Sequence, residues 1–215
     1  VKTLLFGTTY VDTLEKRAIQ KMWFRMAERN GRCDALIVDS CSTMLPHVPS
    51  SVWYYGYGEN VGHLSRGGRD GWGRAFCHGL NYAVEHGYDY VAHVECDSLC
   101  RLDLASEAEE LELGSDVVAT IPLSSWPGHI ETGLMFFSVD WLRSSYFVER
   151  YDWAHRTKYP EPEKVVKDIC GSDLTMMECR GMRDDFHELT VDNLGERHLD
   201  WLTHAPLAVM EKFAQ

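Results

Sequence analysis

Apolar residues fall in several short unbroken runs, and between the runs they recur at helical spacing. The first run, Lys2 to Phe6, ends at Gly7-Thr8-Thr9-Tyr10 and reads as a buried strand entering a loop. Asp12 with Glu15 three residues later resembles a capping box, after which Leu14, Ala18, Met22 and Met26 share one helical face. Asn30-Gly31 supplies the stop. Ala35 to Val38 predicts a second strand closed by Asp39, and Val52 to Tyr55 a third. A glycine-rich loop covers 56–73. Phe76, Leu80 and Ala83-Val84 then predict a helix from Arg74 to Glu85, ended by Gly87. Tyr90 to Val94 is a fourth strand, with Glu95-Cys96-Asp97 at its carboxyl end.

The second half continues with strands at Val117–Thr120 and Leu134–Ser138, a helix from Asp140 to Glu149, and a helix starting near Leu174 with Asp173 as its N-cap. Strands alternating with helices predict an α/β fold, with a mostly parallel central sheet flanked by helices. No repeat or linker divides residues 1–215, and Tyr159-Pro160-Glu161-Pro162 reads as a turn. The chain is therefore expected to form one domain, standing alone or as a piece of a longer protein. In such sheets ligands collect at the carboxyl ends of strands, where Tyr10, Asp39 and Asp97 all fall.

Composition narrows the function classes. The formal net charge is −12, and no basic stripe offsets it, so a nucleic-acid partner is not expected. An acidic protein that binds a nucleotide phosphate must neutralise it locally, and a divalent metal does this well. No segment has the length of a membrane span, and the first residues lack a signal peptide's layout. The seven cysteines fit neither a disulfide framework nor a zinc knuckle, and no Asn-x-Ser/Thr acceptor occurs. These features lead to an expectation of a cytoplasmic location.

The sharpest candidate chemistry is Glu95-Cys96-Asp97. Two carboxylates two positions apart after a buried strand can converge on Mg²⁺ or Mn²⁺, which take oxygen ligands and leave room for substrate phosphates. Spacing alone serves equally well for two polar residues at a strand exit.

Context adds to the spacing. Glu59-Asn60-Val61-Gly62 precedes a helix carrying Ala75, Gly79-Leu80-Asn81 and Ala83, followed by Gly87-Tyr88-Asp89-Tyr90. This order resembles the donor half of the GT-A superfamily of glycosyltransferases, with the Asp-x-Asp motif written here as Glu95-Cys96-Asp97. The likeness is clearest from Val1 to Leu99, the donor half, and thinner over the acceptor half, 100–215. Within the superfamily the chain is most similar to small soluble glycosyltransferase domains of large DNA viruses such as chloroviruses, which would place it in a host cytoplasm.

The resemblance implies a Rossmann-like nucleotide-binding domain. It also implies transfer of a hexosyl or deoxyhexosyl group from a UDP-sugar to a hydroxyl of a glycan or glycoprotein, with Mn²⁺ or Mg²⁺. It places Thr8, Thr9, Tyr10, Asp39, Arg74, Glu95, Cys96 and Asp97 around the donor. Asp39 would read the base and Tyr10 would stack on it. Asp97 would be the firmer metal ligand, with Glu95 and a late histidine, His198 ahead of His204, completing the set. Trp126-Pro127-Gly128-His129-Ile130-Glu131 resembles the acceptor segment, and Cys170-Gly171-Ser172-Asp173-Leu174 the signature of inverting members. Asp173, then Glu131, would be the general base. Arg66 and Arg69 are further candidates for the diphosphate, and Trp126, Trp153 and Trp201 for sugar-stacking walls.

Two rival classes remain at this stage. Gly56-x-Gly58-x-x-x-Gly62 after a strand is close to the glycines that cradle the pyrophosphate of a nicotinamide cofactor. A non-catalytic nucleotide-sugar-binding domain would carry the same donor residues. A hydrolase built on Ser40 has no Gly-x-Ser-x-Gly elbow to support it.

Overall fold

The computed structural model describes residues 1–61, 69–111, 117–120, 130–157, 162–177, 181–182, 189–194 and 199–215. The side chains of 69–71, 111, 118–120, 153–157 and 181–182 are left out of the description. Its principal sheet has seven strands. β1 (Thr3–Thr9), β2 (Asp34–Asp39), β3 (Val52–Gly56) and β4 (Tyr90–Val94) are parallel. A second, three-stranded sheet contains β5 (Ser98–Cys100), β9 (Gly181–Met182) and β10 (Trp201–Thr203). β6 (Val117–Thr120), β7 (Glu131–Ser138) and β8 (Leu174–Met177) complete the first sheet in the order β3-β2-β1-β4-β7-β6-β8. β7 alone runs antiparallel to its neighbours there.

Alternation along β1 explains the layering. Leu5 faces one core with α1 (Leu14–Arg29), α3 (Leu104–Leu111) and α7 (Leu207–Phe213). Leu4 and Phe6 face another, with α2 (Arg69–Glu85), α4 (Val139–Ser145), α5 (Phe147–Thr157) and α6 (Pro162–Cys170). A strand covered on both faces reads as a continuous apolar run, which is why β1, β2 and β4 were the most legible elements.

Four expectations are corrected. The N-cap of α1 is Thr13, whose hydroxyl accepts from Lys16 N at 3.2 Å, while Asp12 pairs with Lys16 Nζ at 2.7 Å instead of capping. α2 starts at Arg69 and not at Arg74. Gly71 and Gly73 each weigh against helix by about 1 kcal/mol, but Trp72 stacks on Phe76 with ring centroids 4.6 Å apart. The helix expected over 140–149 breaks at Tyr146, whose left-handed backbone (φ 52°) ends α4. Finally, Leu174 opens a strand, not a helix, because it pairs with Val117 of β6. Asp173 ends a short 3₁₀ turn instead of capping a helix.

Candidate donor and metal site

Glu95, Cys96 and Asp97 leave the carboxyl end of β4 in a tight turn closed by Ser98 N donating to Glu95 O at 2.9 Å. Cys96 turns into the core. A Cβ placed on Gly7 would lie 2.7 Å from both Cys96 Sγ and the Trp23 ring, so this close approach of β1 requires a glycine. Burial pushes the Cys96 thiol well above its ordinary value, so it stays protonated. Its neighbours Glu95 and Asp97 project the other way. Trp72 Nε1, from the first turns of α2, donates to Glu95 Oε1 at 2.5 Å.

The third member arrives from the chain's far end. β10 runs antiparallel to β5 with Thr203 opposite Ser98 and Trp201 opposite Cys100. One step beyond that register sets His204 against Asp97, where His204 N donates to Asp97 O at 3.3 Å. His204 takes a left-handed conformation (φ 53°), and its Nε2 stands 3.2 Å from Asp97 Oδ2. One ligand atom each from Glu95, Asp97 and His204 lie within 4.8 Å of one another.

Glu95 and Asp97 border a cavity of about 280 Å³ at the carboxyl ends of β1 and β4, and His204 stands against Asp97 outside the cavity wall. Thr8, Thr9, Tyr10 and Val11 supply one wall, Lys16, Ile19 and Gln20 of α1 a second, and Trp72 with Glu95, Cys96 and Asp97 the rest. Thr9 Oγ1 donates to Gln20 Oε1 at 2.6 Å. Asp97 Oδ1, in this wall, is buried without a hydrogen-bond partner among the described residues. A buried carboxylate oxygen left bare carries a desolvation cost that a cation would remove. Two carboxylates and an imidazole suit Mn²⁺, since Mg²⁺ favours an all-oxygen set. Lys16 is the one cation lining the cavity among the described residues. It is tied to Asp12 and lies 5.5 Å from the centroid of the Tyr10 ring.

The structure thus gathers Thr8, Thr9, Tyr10, Glu95, Cys96 and Asp97. Asp39 lies at the end of β2, buried to 2% exposure and outside the cavity wall. Its carboxylate accepts from Ser42 N at 3.1 and 3.2 Å, from Ser42 Oγ, and from Tyr54 OH at 3.2 Å. Ser42 Oγ in turn accepts from Val11 N at 2.6 Å, so Asp39 braces the segment beneath the exit of β1. Arg74 sits inside α2, exposed and 5.8 Å from the Tyr57 ring centroid, not at the helix start where an anion site was expected. His198, Arg66 and Trp126 lie outside the described residues, as do the side chains of Arg69 and Trp153. Trp201 is a core residue at 4% exposure, and the tryptophan on the cavity is Trp72.

The two base candidates part company. Glu131 begins β7 on the reacting side of the sheet but is sealed at 0% exposure, with Oε1 accepting from Gly133 N at 2.9 Å. Asp173 is at the opposite end. Leu4, Val91, Phe137, Val117 and Leu174 stand in one row across the sheet, so Asp173 is level with Tyr90. At about 3.3 Å per residue, that is roughly 16 Å short of Glu95 along the strands. There its Oδ2 accepts from Trp141 Nε1 at 3.0 Å. The expectation of inversion rested on Asp173 and loses its carrier. Asp173→Ala should leave turnover unchanged while lowering unfolding free energy by about 1 kcal/mol through the orphaned indole N–H. Parallel urea melts and rate assays check this.

His93, one strand position inside the site, is buried among Phe6, Phe76 and Trp72. Burial lowers its pKa to about 3, so it is neutral. Its Nδ1 lies 3.0 Å from Thr132 O and must carry the proton, since a carbonyl only accepts. It packs the core behind the site.

The residues missed from sequence are Lys16, Gln20 and Trp72, and His204 was ranked second. Lys16 had a signal: a cation in the first turn of the helix that follows β1.

The fold is that of the GT-A glycosyltransferases. The galactosyltransferase LgtC, solved with donor and acceptor sugar analogues, superposes with a TM-score of 0.59 at 11% identity, over 96% of this chain and 87% of its own. A glycosyltransferase involved in glycosylation of the major capsid of PBCV-1 gives 0.57 at 12% identity, over 100% and 99%. GlyE of Streptococcus pneumoniae gives 0.61 at 10% identity, over 95% of this chain and 54% of its own. The chain spans about half the length of GlyE (54%) and of the bifunctional enzyme WbbM (46%). No protein-family model and no curated protein matches the sequence. Among the described residues, no helix is long and apolar enough to cross a membrane.

Proposed function

We propose that this chain is a divalent-metal-dependent glycosyltransferase using a UDP-sugar donor and a glycan hydroxyl as acceptor. One observation carries the reading: Glu95, Asp97 and His204 converge, and the two carboxylates border a cavity at the carboxyl ends of β1 and β4, in a fold shared with glycosyltransferases. Glu95, Asp97 and His204 would hold the ion, and bound there it would supply Lewis-acid stabilisation to the departing nucleoside diphosphate. The chain's own residues do the rest. Tyr10 offers a ring face to the base, and Thr8 and Thr9 line the floor beneath the ribose. Lys16 can exchange its Asp12 partner for a phosphate oxygen. Trp72 fixes Glu95 with its N–H and walls off water with its ring. Asp39 supports the base end of this pocket by bracing the segment after β2.

The nicotinamide reading loses its footing. Gly56 is packed under its own neighbour Tyr54, and among the described residues neither Gly56 nor Gly58 opens an α-helix whose N-terminus could face a pyrophosphate. Calorimetry with UDP, GDP and NAD⁺, each with and without Mn²⁺, tests the assignment. UDP binding that requires Mn²⁺ is expected, and release of UDP from a UDP-sugar separates an enzyme from a pure binder. No nucleotide binding under any condition would sink the reading.

A further inference from the structure

Behind His204 runs a chain of buried hydroxyls that the metal reading does not use. Thr203 Oγ1 lies 2.7 Å from His204 Nδ1 and 2.7 Å from Ser98 Oγ. Thr203 is 0% exposed and Ser98 1%, so water cannot satisfy either hydroxyl. Next along stands the buried Glu131 carboxylate. A Cβ on Gly133 would sit 3.1 Å from Glu131 Oε1 and 3.2 Å from Ser98 Oγ, so the two border the same point.

The proton inventory of this chain allows two directions. In one, Ser98 donates to Thr203, Thr203 donates to His204 Nδ1, and the ring's proton sits on Nε2, facing Asp97 Oδ2 at 3.2 Å. That direction gives Asp97 a hydrogen-bond donor but leaves Nε2 with no lone pair for a cation. In the other, His204 Nδ1–H donates to Thr203 Oγ1 and Thr203 donates to Ser98 Oγ. Nε2 is then bare. The two directions differ in which ring nitrogen carries the proton, and solvent reaches the side chain, which is 36% exposed.

We propose that Thr203, backed by Ser98, is the positioning residue of His204: by accepting its Nδ1–H it holds Nε2 bare toward the cation of Glu95 and Asp97. Partners of this kind fix the tautomer and ring orientation of a ligating histidine, and their loss typically lowers metal affinity about 10–100-fold. The inference rests on the metal-binding reading above.

The test is Mn²⁺ affinity, read from the electron paramagnetic resonance of free Mn²⁺ without nucleotide. It compares wild type, Thr203→Val, Thr203→Ser, His204→Ala and the double variant Thr203→Val/His204→Ala. Thr203→Val keeps the shape but cannot accept Nδ1–H, so affinity should fall about 10–100-fold, while Thr203→Ser keeps wild-type affinity. In the His204→Ala background, Thr203→Val should cost nothing more, because the effect travels through the ring. Wild-type affinity in Thr203→Val, or an equal loss in both backgrounds, overturns the inference while the metal site stands. If wild type itself binds no Mn²⁺, the metal reading fails and takes this inference with it.

Discussion

Asp97→Ala is expected to abolish Mn²⁺-dependent binding of UDP and to lower turnover at least about 100-fold, the scale on which losing one stabiliser of developing negative charge acts. The asymmetry between the two carboxylates makes this position the more sensitive. Glu95 Oε1 is already committed to Trp72 Nε1 at 2.5 Å, whereas Asp97 Oδ1 is buried and bare and Asp97 Oδ2 faces His204. Glu95→Ala should therefore cost less than Asp97→Ala. The fold should survive, because removing one of two neighbouring carboxylates relieves repulsion instead of opening a core. Titrating UDP into wild type and variant at several Mn²⁺ concentrations makes the comparison. Without metal the two proteins should be indistinguishable, and with metal only wild type should gain affinity. An Asp97→Ala protein whose UDP affinity still rises with Mn²⁺ would remove Asp97 from the site.

What the sequence made legible follows from where the determinants lie. β4 and its exit are contiguous: five residues of strand and then Glu95-Cys96-Asp97, whose alternation throws both carboxylates to one side. The same holds for β1 and Thr8, Thr9 and Tyr10. His204 could be weighed only against His198, because its place depends on a strand pairing across more than a hundred residues, Thr203 with Ser98. Trp72 was hidden by the glycines on either side of it, which lower helix propensity, while its i,i+4 stacking on Phe76 within α2 supports the helix. Asp173 was misread for a related reason. Gly-Ser-Asp-Leu serves as well to enter a strand as to cap a helix, and only the pairing of Leu174 with Val117 decides. That pairing also sets Asp173 level with Tyr90, at the end of the sheet away from Glu95.

Gly79→Ala should destabilise the protein, against the ordinary rule for helices. In an exposed helix interior, glycine to alanine stabilises by about 1 kcal/mol. Here α2 lies so close to β1 that a Cβ on Gly79 would stand 2.3, 2.4 and 2.8 Å from three atoms of the Phe6 ring. The ring has nowhere to go: it is 0% exposed, on an interior strand, with Phe76 5.9 Å and His93 4.7 Å away between ring centroids. Forcing an added carbon into a well-packed core costs about 1–3 kcal/mol, and contacts this short fall at or beyond the upper end. Packing therefore outweighs propensity, leaving a net loss of about 2 kcal/mol, or a fall of about 4–8 °C in Tm for a domain of this size. Phe6→Leu in the same protein should recover part of that loss, a coupling that two independent substitutions would not show. An alanine variant as stable as wild type would show that α2 can ride outward at no cost. The consequence reaches the site, since the same helix carries Trp72 two turns earlier and Trp72 holds Glu95. A helix pushed off Phe6 withdraws that indole, so Gly79→Ala should also weaken Mn²⁺ binding below its melting transition, where the folded population is unchanged.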